Sequence, residues 1–181
     1  LMAIKKYNYK KNITKKFISE DNYVTQIYKQ LPFKLTNSQI NVLKEIRADL
    51  ELETSMNRLI QGDVGSGKTV VALHAMLMAV VSGAQAALMA PTELLAEQHY
   101  RTIANLLTGS AVSTGLLTSS LSAKERKELV NKITCGEIDI LVGTHALLTS
   151  DVVFSNIAIS IVDEQHRFGV HQRATLRSKR D

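Results

Sequence analysis

The residues most able to do chemistry are Gly62-x-x-x-x-Gly67-Lys68-Thr69, inside the stretch that runs from Arg58 to Val71. This is the phosphate-binding loop pattern, and its residue types carry a mechanism. Glycines at 62, 65 and 67 let the backbone turn tightly, so that successive N–H groups point inward at a polyphosphate. Lys68 then reaches the β/γ-phosphates, and the Thr69 hydroxyl is placed to ligate Mg²⁺. The whole loop, Gly62, Asp63, Val64, Gly65, Ser66, Gly67, Lys68 and Thr69, is therefore expected to hold a nucleotide. The second reactive set is Asp163-Glu164, which directly follows the apolar run Ile157 to Val162. In a phosphate-loop enzyme the first acid can hold the Mg²⁺ shell while the second orients and deprotonates a water for attack on the γ-phosphate. Alone, such a pair could simply begin a solvated loop. Its place about a hundred residues after the glycine loop, beyond two strand–helix units, favours the catalytic reading.

These residues need elements to position them. Leu59-Ile60 reads as the end of a short buried strand, and Val70 to Val81 as a helix, which would set the phosphate at a helix N-terminus. Upstream, Thr36 is a candidate N-cap for a helix with Ile40, Leu43, Ile46 and Leu50 on one side. Thr36-x-x-Gln39 also fits a capping box. The Gln39 amide could instead read an adenine edge, and local sequence leaves the two open. Downstream, Ala84 to Ala90 reads as a strand ended by Pro91, and Thr92 as the cap of a helix running toward Leu107. Ala111 to Leu117 is expected as a strand. Leu121 to Cys135, with the capping box Ser122-x-x-Glu125, is expected as a charged helix ending at Gly136, and Ile138 to Val142 and Ile157 to Val162 as strands. Alternation of strands and helices predicts an α/β fold, a mostly parallel sheet with helices on both faces. Pro91-Thr92, Gly143-Thr144-His145 and Asp163-Glu164 would all lie at strand C-terminal ends, where sites form.

Composition narrows the setting. The 181 residues are 45% apolar and 22% charged, enough for an ordinary core. No apolar run reaches the roughly 18 residues of a membrane span, and no signal peptide is visible. Cys135 is the single cysteine, which excludes an intrachain disulfide and a cysteine metal cluster. A cytoplasmic setting is expected. The net charge of +5 resides in residues 1–20, which hold six lysines and one glutamate, whereas residues 21–181 balance to zero. Charge therefore gives no argument for nucleic acid at the core. Of the five histidines, His74 and His99 are expected to be packed or solvated within helices. His145 and His166 follow strand ends and are expected to contact or couple, and His171 is uninformative.

Together, Leu31-Pro-Phe…Leu35-Thr…Gln39, Gly62 to Thr69, Ala90-Pro-Thr-Glu…Leu95-Ala-Glu-Gln-His99, Gly143-Thr-His-Ala-Leu147 and Asp163-Glu-Gln-His-Arg-Phe-Gly-Val170 with Gln172-Arg173 resemble superfamily 2 helicases. More narrowly, they resemble the RecG family, ATP-dependent DNA translocases that remodel forks and Holliday junctions. Transcription-repair coupling factors share the beginning and end of this set but have Asp-Glu-Glu-His where this chain has Asp163-Glu-Gln165-His166. The resemblance implies a RecA-like fold, ATP and Mg²⁺ as cofactors, and branched duplex DNA as partner. It implies adenine contact by Gln39 and DNA-backbone contact by Pro91, Thr92, Gly143, Thr144 and His145. Gln165 and His166 would couple the γ-phosphate to DNA and to a second motor domain. Residues 1–30 are expected as a linker or helical tail from a preceding domain, and 31–181 as a truncated N-terminal RecA-like domain. A second RecA-like domain, its arginine finger and a DNA wedge domain would lie elsewhere in the parent, leaving the 181 residues nearly inactive alone. Rival expectations are the motor of a coupling factor and a nucleotide-dependent switch that does no unwinding.

Overall fold

The computed structural model describes residues 34–52, 56–63 and 65–164. Residues 1–30, Val64, Gln165, His166 and His171, all subjects of expectations above, lie outside them. The described chain forms two compact units that divide between Ser82 and Gly83.

The first unit is built on two helices. Helix α1, Asn37–Leu50, starts where the local sequence says it should. Thr36 Oγ1 accepts from Gln39 N at 3.2 Å, and Gln39 Oε1 accepts from Thr36 N at 2.9 Å, so both halves of the capping box are formed. Its buried face is Gln39, Val42, Leu43, Ile46 and Leu50. Ile40, expected on that face, is exposed instead; the stripe is set by Val42 and Gln39, which turns Ile40 outward. Helix α2, Lys68–Val81, begins at the lysine of the glycine loop and packs against α1. Its mean composition is strongly apolar, and Val71, Met76, Leu77 and Ala79 are fully buried. The expected strand at Leu59-Ile60 is reduced to an isolated bridge at Arg58. Arg58 is held to α1 by its side chain: Nε donates to Asp49 Oδ2 at 2.8 Å and Nη1 to Glu45 Oε2 at 2.6 Å. Two apolar residues after such an anchor are too few to build a ladder among the described residues.

The second unit is a four-stranded parallel sheet in the order β2-β3-β1-β4, with β1 Gln85–Met89, β2 Thr114–Leu117, β3 Ile140–Gly143 and β4 Ile157–Val162. β1 and β3 are buried along their whole length, as strands covered on two faces are, and the polar first residue of β1, Gln85, donates from Nε2 to Ile133 O and Ile138 O. Helix α3, Glu93–Leu106, links β1 to β2, and helix α4, Ala123–Thr134, links β2 to β3. The first link crosses the sheet in one direction and the second returns in the other. Right-handed crossovers therefore put α3 and α4 on opposite faces. On the α4 face, Ile133 closes a core with Ala87, Met89, Leu117 and Leu141, joined by Leu147, Val152 and Phe154 from the β3–β4 connection. On the α3 side, Ala96 and Ile103 are fully buried, and α3 packs over β2 and β3. Burying a side chain the size of Ile103 contributes about 1.5–3 kcal/mol.

The charged helix keeps its predicted capping box at Ser122 and Glu125 and ends at Gly136, which takes φ +76°. One element went unread: a 3₁₀ turn, His145–Leu148, directly after β3. Among the described residues no helix is long and apolar enough to cross a membrane.

Candidate functional site

In the first unit the glycine loop is shaped by its own backbone. Gly65 and Gly67 sit at φ +79° and +81°, a region that side chains disfavour. Ser66 N donates to Asp63 O at 3.1 Å, closing the turn. Gly67 is the N-cap of α2 and brings no side chain to cap it. Val70 N donates to Gly67 O at 3.0 Å, whereas the N–H groups of Lys68 and Thr69 precede the first intrahelical bond, and the macrodipole there favours an anion. A Cβ on Gly67 would overlap Gln39 Nε2, so a side chain there would have to displace the end of Gln39 from its bond to Ser66 O.

Two side chains are tied into the loop. Lys68 Nζ donates to Gly62 O and Asp63 O, both at 2.8 Å, so the ammonium is folded over the loop's own carbonyls. Gln39, 7% exposed, donates from Nε2 to Ser66 O at 2.9 Å while its Oε1 serves the cap of α1. The capping reading of Gln39 is thus what forms, with the loop as its second partner. Ser66 Oγ is buried without a hydrogen-bond partner among the described residues. A buried hydroxyl left unbonded costs about 1–3 kcal/mol, which a phosphate oxygen would recover. These groups fit a polyphosphate with its cation, with Lys68 and Thr69 as the residues to hold it. Behind the loop, burial lowers the His74 pKa to about 4, so the imidazole is neutral in the helix, in line with a packed role.

In the second unit the expected residues collect at the C-terminal edge of the sheet. Ala90 N donates to Gly143 O at 2.9 Å, tying the end of β1 to the end of β3. Thr92 caps α3 as expected, with Oγ1 accepting from Leu95 N at 3.3 Å, and it remains exposed. Gly143 and Thr144 are buried rather than presented. A Cβ on Gly143 would overlap Leu117 O, so glycine is needed where β2 and β3 approach. Thr144, 2% exposed, uses its hydroxyl to cap the 3₁₀ turn at Ala146 N. Of this segment, His145 is what faces solvent.

Asp163 and Glu164 stand at the end of β4, next to β1. Asp163 N donates to Met89 O at 2.9 Å. Asp163 Oδ2 meets His99 Nε2 at 2.8 Å, with side chains 26% and 17% exposed. Glu164 has φ +50°, the one non-glycine with positive φ among the described residues. Such a conformation costs on the order of 1–3 kcal/mol and gathers at functional turns. His99 is the residue that sequence reasoning missed as a partner of the site. A signal was present: His99 follows Ala96 by three residues and precedes Ile103 by four, which puts it on the buried stripe of α3.

With this geometry in view, the chain can be compared with known proteins. A family model for DEAD/DEAH box helicases matches residues 36–180. The chain belongs to the DEAD/DEAH box helicase family. Within that family its likeness is to RecG. It is 53% identical over 167 residues to the ATP-dependent DNA helicase RecG of Bacillus subtilis (strain 168), covering 92% of this chain and 24% of that protein. With the RecG of Aquifex aeolicus (strain VF5) it shares 45% identity over 178 residues, 98% of this chain and 22% of the relative. Among solved structures, RecG bound to a three-way DNA junction matches with a TM-score of 0.78 at 43% identity, covering 88% of this chain and 21% of that one. The chain thus spans about a quarter of the length of these relatives. Its parallel α/β sheet is the RecA-like fold of a helicase motor domain.

Proposed function

We propose that this chain is the ATP-binding motor domain of a RecG-type DNA helicase, which drives remodelling of branched duplex DNA by ATP hydrolysis. The observation that carries the proposal is the glycine loop. Its buried, unbonded Ser66 hydroxyl, two left-handed glycines and helix N-terminus form a cradle for phosphate in a chain whose relatives are ATP-dependent helicases. Lys68 and Thr69 would hold the nucleotide's phosphates and Mg²⁺, a cation that would offset charge developing on the phosphoryl group when bound. Asp163 would hold the metal's shell, and Glu164 would take the proton of the attacking water. Gln39 reads the adenine edge, exchanging its bond to Ser66 O for the base. Pro91, Thr92 and His145 meet the DNA backbone, whose recognition relies on hydroxyls and amides as much as on charge. Gly143 and Thr144 shape that surface. Gln165 and His166 couple the nucleotide to DNA, and residues 1–30 form the link from a preceding domain. A second RecA-like domain and a wedge domain in the parent complete the machine.

DNA-stimulated ATPase of the whole protein, measured with fork and junction substrates, tests the reading. Lys68→Ala is expected to lose tight nucleotide binding. Glu164→Gln is expected to keep binding and lose roughly 10²–10⁴ in turnover. Turnover retained by Glu164→Gln would remove it from the base role, and an ATPase indifferent to DNA would sink the motor assignment.

A further inference from the structure

The contact between His99 and Asp163 joins residues 64 apart in sequence, in α3 and at the end of β4. It lies in a half-buried place, where a hydrogen bond to a carboxylate is stronger than at an open surface. Asp163 is thereby held at its backbone and at its side chain. Its backbone N–H is fixed to Met89 O of β1, and its side chain is fixed by the imidazole of α3. A histidine that served only to fill the α3 stripe would have no need to put a ring nitrogen 2.8 Å from a carboxylate oxygen. Ala96 and Ile103 already fill that stripe without polar atoms.

We propose that His99 is a positioning residue for the metal carboxylate: Nε2–H donates to Asp163 Oδ2 and sets the carboxylate's orientation for Mg²⁺. The inference rests on the reading that Asp163 serves Mg²⁺. Partners that orient a ligating carboxylate typically account for 10- to 100-fold in metal affinity. His99 touches neither nucleotide nor water in this role and acts through Asp163 alone.

The test titrates Mg²⁺ against binding of a fluorescent, non-hydrolysable ATP analogue to the whole protein, so it does not depend on turnover. His99→Ala is expected to raise the Mg²⁺ needed for half-saturation by about 10-fold or more. Binding of the analogue without metal should not change. His99→Gln, which keeps an N–H donor of similar reach, should recover most of the effect. If His99→Ala fails to fold, His99→Leu takes its place in the comparison with His99→Gln. Asp163→Asn should raise the Mg²⁺ needed for half-saturation at least as far, and adding His99→Ala to it should change nothing more. A normal Mg²⁺ requirement in His99→Ala or His99→Leu, with a raised requirement in Asp163→Asn, overturns the inference and leaves the site reading standing. A normal Mg²⁺ requirement in Asp163→Asn overturns both. Equal loss of metal-free binding and of melting temperature, with no recovery in His99→Gln, marks a purely structural tie and also overturns the inference.

Discussion

The glycine loop of the first unit and the strand-end rim of the second solve the same problem with different materials. The loop is made of backbone: left-handed Gly65 and Gly67, a turn closed by Ser66 N, and a lysine resting on its own carbonyls. The rim is made of side chains standing on rigid strand ends: Thr92 as a cap, Thr144 inside a turn, Asp163 against His99. The loop, and Gly143 within the rim, are vulnerable to atoms added, and the rim's side chains to atoms removed.

Substitutions test this contrast. Within the loop the largest effect is expected at Gly67→Ala, where the new Cβ displaces the end of Gln39 and the backbone keeps a disfavoured φ of +81°. Strain of about 1–3 kcal/mol and loss of the two Gln39 bonds at about 1 kcal/mol each should together remove roughly 3–5 kcal/mol. Denaturant melts and nucleotide titration both read it, and an unchanged protein would mean the loop has more room than the contrast allows. Next is the helix behind the loop. The folded pKa of His74 lies near 4, below its ordinary 6.5, so the unfolded chain binds the proton more tightly. Its contribution is complete above pH 6.5 and is lost as pH falls toward 4, by at most about 3 kcal/mol. The difference in unfolding free energy between pH 7 and pH 4.5 should shrink in His74→Leu; an unchanged pH slope would show that the ring is not kept neutral. The smallest effects complete the pairing. Gly65→Ala has open space for its Cβ and should cost only the left-handed backbone, about 1–2 kcal/mol. Thr92→Ala removes the cap of α3 at about 1 kcal/mol. If Gly65→Ala proved as damaging as Gly67→Ala, crowding against Gln39 would not be what constrains the loop.

How far the sequence could be read follows the same division. Elements with a local signature were found to within a few residues. Thr36-x-x-Gln39 and Ser122-x-x-Glu125 form the boxes they spell, Thr92 caps its helix, and Ile157–Val162 is the strand its apolar run describes. Errors arose where a long-range partner decided. Arg58 is drawn to Asp49 and Glu45 on α1, and the short strand beside it is reduced to a bridge. Ile40 is turned out because Val42 and Gln39 hold the buried face. At the candidate site, residue types and spacing single out Lys68 and Asp163-Glu164, and the structure sets Lys68 on its loop's carbonyls and Asp163 beside His99. They could not tell that Thr144 would be 2% exposed, because its burial depends on β2 lying beside β3. The meeting of His99 with Asp163 depends likewise on β4 pairing with β1, a non-consecutive neighbour.

The resting place of Lys68 has a thermodynamic consequence. With Nζ on Gly62 O and Asp63 O, the loop acts as a tethered competitor for its own cation. Under the proposed nucleotide role, phosphate arrival would be an exchange of acceptors, and the affinity would be the intrinsic one scaled by the fraction of loops whose ammonium has let go. Loosening either carbonyl bond would tighten nucleotide binding without adding a single contact to the nucleotide.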